Sequence, residues 1–288
     1  MRPQATILFA TALLVAACGK DAPETPAAPM PAEVLERLSF EHFRTVETKL
    51  SYGYHVFYEE GADGSSYDLW ASGNEGAAMV NSKRKPEQFP TYATADGYEG
   101  YGVCLNTQSS GTLGGLVGKP IAAGNLYIGS FDSGKVMSDA LKTTVFGVSV
   151  DREPISVSGW YKYSPGKTFT DKNKKEIPDR TDEANIYGVF WRNTDGGKNV
   201  TLHGDNILDN PWIVSKAQVA ELPPTEEWTQ FEMVFEGERA DAEVLAQRGY
   251  SFTLVFSSSK GGDSFEGAIG STLMIDEVRV SFAPAPEN

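Results

Sequence analysis

From position 38 to 43 the chain reads Leu, Ser, Phe, Glu, His, Phe, with apolar and polar side chains in turn. Successive side chains of a strand point to opposite faces, so this period of two predicts a half-buried β-strand. The same reading predicts strands at 98–105, 126–131, 145–150, 155–163, 184–191, 229–235, 250–257 and 271–282, bounded by Gly, Pro, Asn or Asp. Helical period is confined to short stretches. Residues 32–37 predict one turn ahead of the first strand. Residues 239–248 predict a short helix with Ala240, Val244 and Leu245 inward, ending at Gly249 as the left-handed cap. Without long crossover helices, a doubly wound sheet is excluded. Many strands without repeats predict an all-β fold, an antiparallel jelly-roll β-sandwich.

The first residues follow a different pattern. Arg2, an apolar run over 7–15 and the small pair Ala16 and Ala17 make a secretory signal, too short to span a bilayer with margin. Val15, Ala16, Ala17 and Cys18 resemble a bacterial lipobox, which implies lipidation at Cys18 and a membrane partner reached through that anchor. The Pro- and Ala-rich stretch that follows reads as a tether. Lys20 and Asp21 resemble the charged export signal of Bacteroidota lipoproteins, so the expected location is the outer membrane, on the cell surface or the periplasmic face. The expected organisation is therefore a signal peptide at 1–17, a tether at 18–38, one domain at 39–283 and a short tail at 284–288.

Composition narrows the function. The 288 residues are 40% hydrophobic, enough for a large core, and carry a net charge of −14 with no basic stripe. Such a surface repels phosphate backbones, which excludes nucleic acid as a partner. Cys104 lies among Gly102, Val103 and Leu105 and reads as a buried small hydrophobe. No Gly-x-Ser-x-Gly elbow and no His-Glu-x-x-His helix is present. The stretch 111–119 fails as a phosphate loop because Leu113 replaces its first glycine and Pro120 follows the lysine.

Several motifs carry a resemblance. The run Trp160, Tyr161, Lys162, Tyr163, Ser164, Pro165, Gly166 resembles the glycine–aromatic–Lys–Tyr–x–Pro–Gly motif of the putative carbohydrate metabolism domain family, abbreviated PCMD. Residues 257–273 and the closing Ile275, Asp276, Glu277, Val278 are similar to its C-terminal signature, and 70–74 and 123–126 also look like family positions. The resemblance implies a jelly roll like those of carbohydrate-binding modules, on Bacteroidota lipoproteins. Where the family often carries Asp-Asp near the last strand, this chain has Asp276 and Glu277.

A carbohydrate partner directs attention to the tryptophans, because sugar C–H faces stack on rings while polar neighbours bind hydroxyls. Trp70 with Asn74, Trp191 with Arg192, and Trp212 with Asp209 are the candidate binding residues. Trp160 and Trp228 lie in apolar strand context and are expected in the core. By analogy with jelly-roll carbohydrate modules, Glu41 and Asp276 could share a structural calcium, against the alternative of a hydrogen-bonded carboxylate. The leading expectation is a non-catalytic, glycan-binding or glycan-accessory lipoprotein with no catalytic residues. A glycoside hydrolase using paired carboxylates is the alternative. An adhesion or interaction protein, marked by a large exposed apolar patch, is a third.

Overall fold

The computed structural model describes residues 30–48, 51–80, 83–111, 119–136 and 138–284. The secretory signal, Cys18, the tether as far as residue 29, residues 285–288 and nearly all of 111–119 lie outside the described residues.

The chain enters through helix α1 (Ala32–Glu36) and strand β1 (Arg37–Leu38), then forms a hairpin of β2 (Phe43–Thr48) and β3 (Ser51–Phe57). Strand β4 (Trp70–Ala71) and helix α2 (Asn74–Val80) lead to β5 (Thr91–Thr94) and β6 (Gly102–Asn106). Next come β7 (Asn125–Phe131), β8 (Thr144–Phe146), β9 (Val148–Val150) and the long β10 (Pro154–Ser164). Strands β11 (Asn185–Arg192), β12 (Ile213–Gln218), β13 (Thr225–Val234) and β14 (Glu236–Gly237) follow. Helix α3 (Ala242–Ala246) precedes the closing strands β15 (Tyr250–Ser257) and β16 (Thr272–Phe282).

The first sheet runs β13-β10-β16-β6-β5, with β1 also paired to β16. The second runs β8-β7-β15-β11-β12-β14, with β9 on β15 and β4 on β7. Their pairings are antiparallel. From β9 onward the chain crosses repeatedly between the sheets, which makes the sandwich a jelly roll rather than a stack of hairpins.

The period of two sorts each strand. On β10, Val157, Tyr161 and Tyr163 are buried, whereas Ser156, Ser158, Trp160 and Lys162 are half-buried on the other face. The buried set meets Ile186, Phe190, Phe252 and Phe256 of the second sheet. Each fully buried ring contributes about 1.5–3 kcal/mol. Strand β15 is buried almost end to end. Its second face is covered too, because segment 200–213 lays Leu202 and Ile207 over Val189, Trp191 and Val255.

Four boundaries depart from the sequence pattern. Phe40 takes a φ of 57° and is fully buried, so the strand expected at 38–43 breaks there. Gly147, at φ 88°, splits 145–150 into β8 and β9. Residues 98–101 form a turn, and the strand begins at Gly102. Near the expected cap of α3, the left-handed residue is Arg248, at φ 58°, not Gly249. Gly249 is needed for another reason, since a Cβ there would strike the Val244 side chain.

The tether expected to run to residue 38 also ends earlier. Leu35 and Leu38 are fully buried, and β1 pairs with β16, so 32–38 belongs to the domain. No helix among the described residues is long and apolar enough to cross a membrane.

Candidate functional site

The half-buried face of the first sheet carries rows of side chains set by register. Trp160 of β10 pairs with Gln230 of β13 and Asp276 of β16. Ser158 pairs with Glu232 and Arg279, and Ser156 with Val234 and Ser281. A bulge lies between the Ser158 and Trp160 pairs, where β16 inserts Glu277 and Val278 opposite Gly159. Glu277 there has a φ of 45°. Its carboxylate is buried and meets Arg37 at 2.9 Å and Arg279 at 3.2 Å.

Above this face folds the turn 95–101, which brings Tyr98 onto Trp160. Their ring centroids are 4.0 Å apart and the planes 8° from parallel. Trp228 meets Tyr98 edge-on at 6.3 Å. Lys162 places its ammonium over the Trp228 ring at 5.0 Å and pairs with Asp96 at 3.2 Å. Tyr98 remains 46% exposed. The cluster therefore offers solvent a tyrosine ring backed by an indole, rimmed by a lysine, a carboxylate and Gln230.

Backbone donors fix the turn to the sheet. Glu99 donates its amide hydrogen to Asp276 Oδ2 at 2.9 Å, and Tyr101 donates to Glu41 Oε1 at 2.9 Å. Asp276 Oδ1 also accepts from the Glu277 amide at 2.7 Å. Asp276 is fully buried, and that burial pushes its carboxyl up to about 6 against the pull of these amides. Glu41 and Asp276, the pair expected to share a structural calcium, here each accept a backbone amide hydrogen from the same turn.

The tryptophans exchange roles relative to the sequence expectation. Trp70 is buried in the main core and donates its indole N–H to buried Glu59 at 2.9 Å. Asn74 is fully buried and clips the Thr91 backbone through both its amide atoms. Trp191 is sealed under segment 200–213, its indole N–H on the Val200 carbonyl. None of these three can meet a sugar. Arg192 and Asp209 are exposed and Trp212 half-buried, with Arg192 and Trp212 joined by a backbone hydrogen bond. Trp160 and Trp228, expected in the core, instead build the ring cluster.

The C-terminal signature has a structural explanation. Buried Asp182 accepts from the Ser259 and Ser271 hydroxyls at 2.6 Å each and from the Ala268 amide at 2.7 Å. Thr107 bridges Ser258 and Ser259 beside it. Where this signature meets the Pro165–Gly166 turn lies an open hollow of about 520 Å³, with no aromatic ring among its lining residues. Cys104 is buried and its thiol pushed up to about 11 by that burial, consistent with its reading as an inert small hydrophobe.

The putative carbohydrate metabolism domain family matches residues 39–281. Among solved structures, one described as a putative glycoside hydrolase from Bacteroides vulgatus is 40% identical. It superposes with a TM-score of 0.79, over 86% of this chain and 98% of that one. Another, described as a putative glycoside hydrolase from Bacteroides thetaiotaomicron, is 36% identical with a TM-score of 0.79, over 90% of this chain and 73% of that one. No curated protein matches the sequence.

Proposed function

Because this chain belongs to the putative carbohydrate metabolism domain family, we propose that it is an accessory lipoprotein of the outer membrane that binds glycan without catalysing a reaction. The supporting observation is the Tyr98 ring, exposed and stacked on Trp160 beside Trp228, with Lys162, Asp96 and Gln230 around it. A pyranose presents an apolar C–H face to such a ring and hydroxyls to such a rim. The stack also lowers the entropy lost on binding, since the platform is already ordered. Anchoring through Cys18 rests on the lipobox-like segment and the tether that follows it. Screening the purified domain against a glycan array tests the reading. Binding abolished by loss of Tyr98 supports it, and silence across the array overturns it.

A second reading, a glycoside hydrolase, has one observation in its favour beyond the description of the Bacteroides relatives. Asp276 is buried, pushed up to about 6, and paired in register with Trp160, as a general acid beside a sugar platform would be. Against it, both Asp276 oxygens already accept backbone amides. Release of new reducing ends by the native domain, lost in Asp276→Asn, would favour this reading over the first.

A further inference from the structure

Beside the ring cluster, on the same face, lies a groove of about 310 Å³ lined by Ser156, Ser158, Arg279, Ser281, Glu36 and Phe282, among others. Its shape follows from side-chain length. Three serines form a low floor, flanked by Glu232 and Val234 of β13 on one side and by Arg279 and Glu36 on the other. From Ser156 to Trp160 the strand rises about 13 Å, room for more than one pyranose ring. The floor presents hydroxyls, which suits partners that both donate and accept. Both guanidinium groups at the groove already face carboxylates. Arg279 meets Glu277 at 3.2 Å, and Arg152, stacked over Phe282, meets Glu36 at 2.8 Å. Arg37 shares Glu277 with Arg279 and also faces Glu99 at 3.9 Å, so with Glu232 the described carboxylates here outnumber the guanidinium groups four to three, which disfavours an anionic ligand.

We infer that the ligand is a neutral polysaccharide chain, one ring on the Tyr98 platform and further rings laid along the serine floor. The inference rests on the glycan-binding reading and narrows it to a class and a length. Affinity grows with chain length until the groove is filled, and uronate or sulfate groups bring no gain.

Calorimetric titration with neutral gluco-, xylo-, manno- and galacto-oligosaccharides of one to six rings tests this, with polygalacturonate as the anionic probe. For whichever series binds, affinity should rise about tenfold or more from two rings to five. Ser158→Gln, which raises the floor on an accessible face, should abolish that rise while single-ring binding and the melting temperature stay unchanged. Flat length dependence, an unaffected rise in Ser158→Gln, or tighter binding of polygalacturonate overturns the inference while leaving glycan binding intact. If no oligosaccharide binds, or binding survives Tyr98→Ala, the glycan reading itself fails and the inference falls with it.

Discussion

Asp276 accepts the amide hydrogen of Glu99 at 2.9 Å, one residue beyond the tyrosine that covers Trp160. A buried carboxylate thereby holds an exposed ring in place. Asp276→Ala removes the acceptor and leaves the Glu99 amide without it, a loss of about 1–3 kcal/mol in stability. Freed from the sheet, Tyr98 should sample several positions, and glycan affinity should fall further than the melting temperature explains. Chemical denaturation and a binding titration on the same preparation check both parts.

The exchange of roles among the tryptophans gives opposite expectations for two substitutions. Trp191→Ala empties the small core under segment 200–213 and should cost about 3–5 kcal/mol in unfolding free energy. Trp160→Ala takes the support from beneath Tyr98 on a half-buried face, so its larger effect should be on binding, about 2 kcal/mol. Equilibrium unfolding and affinity measured on both variants separate the two roles.

Glu59 sets a pH dependence. Burial, partly offset by hydrogen bonds from the Trp70 indole and the Ser39 backbone, pushes its carboxyl from 4.5 up to about 7. The folded state therefore binds this proton more tightly than the unfolded chain, and the group costs stability when ionised. That cost, about 3 kcal/mol when fully expressed above pH 7, fades as pH falls from about 7 towards 4.5. Glu59→Gln keeps an acceptor for Trp70 and should remove this part of the slope, leaving the part that Asp276, pushed up to about 6, contributes at lower pH. Denaturant midpoints measured from pH 8 to pH 5 give the slope directly.

Gly147 divides β8 from β9 because its φ of 88° suits glycine and because a Cβ would run into the Trp191 ring. Gly147→Ala should therefore destabilise by more than the about 1–3 kcal/mol typical of a strained backbone alone. Thermal unfolding checks it; a loss no larger than the backbone strain would mean that Trp191 moves aside freely.

The fold was largely legible because strand-length apolar segments are bounded by turn residues: β10 alternates cleanly, β11, β15 and β16 are buried over much of their length, and all four fall close to where the sequence places them. The site was only partly so. Trp70 and Trp191 have polar neighbours in sequence, but long-range folding covers them, Trp191 by a segment that returns over the outer face of its sheet. Trp160 was misread from its apolar neighbours although its phase was informative. It shares a face with Ser156, Ser158 and Lys162, and Trp228 likewise shares one with Gln230 and Glu232. Tyr98 carried no such signal. Its place depends on a turn pinned by Glu41 and Asp276, far away in sequence.

The central claim, that glycan binds on the Tyr98 platform, is tested most directly by affinity electrophoresis of Tyr98→Ala against the native domain in gels containing a bound polysaccharide. Tyr98 is exposed, so the substitution should leave the melting temperature within a few degrees while abolishing the retardation. Equal retardation of the two proteins, with both folded, would contradict the account.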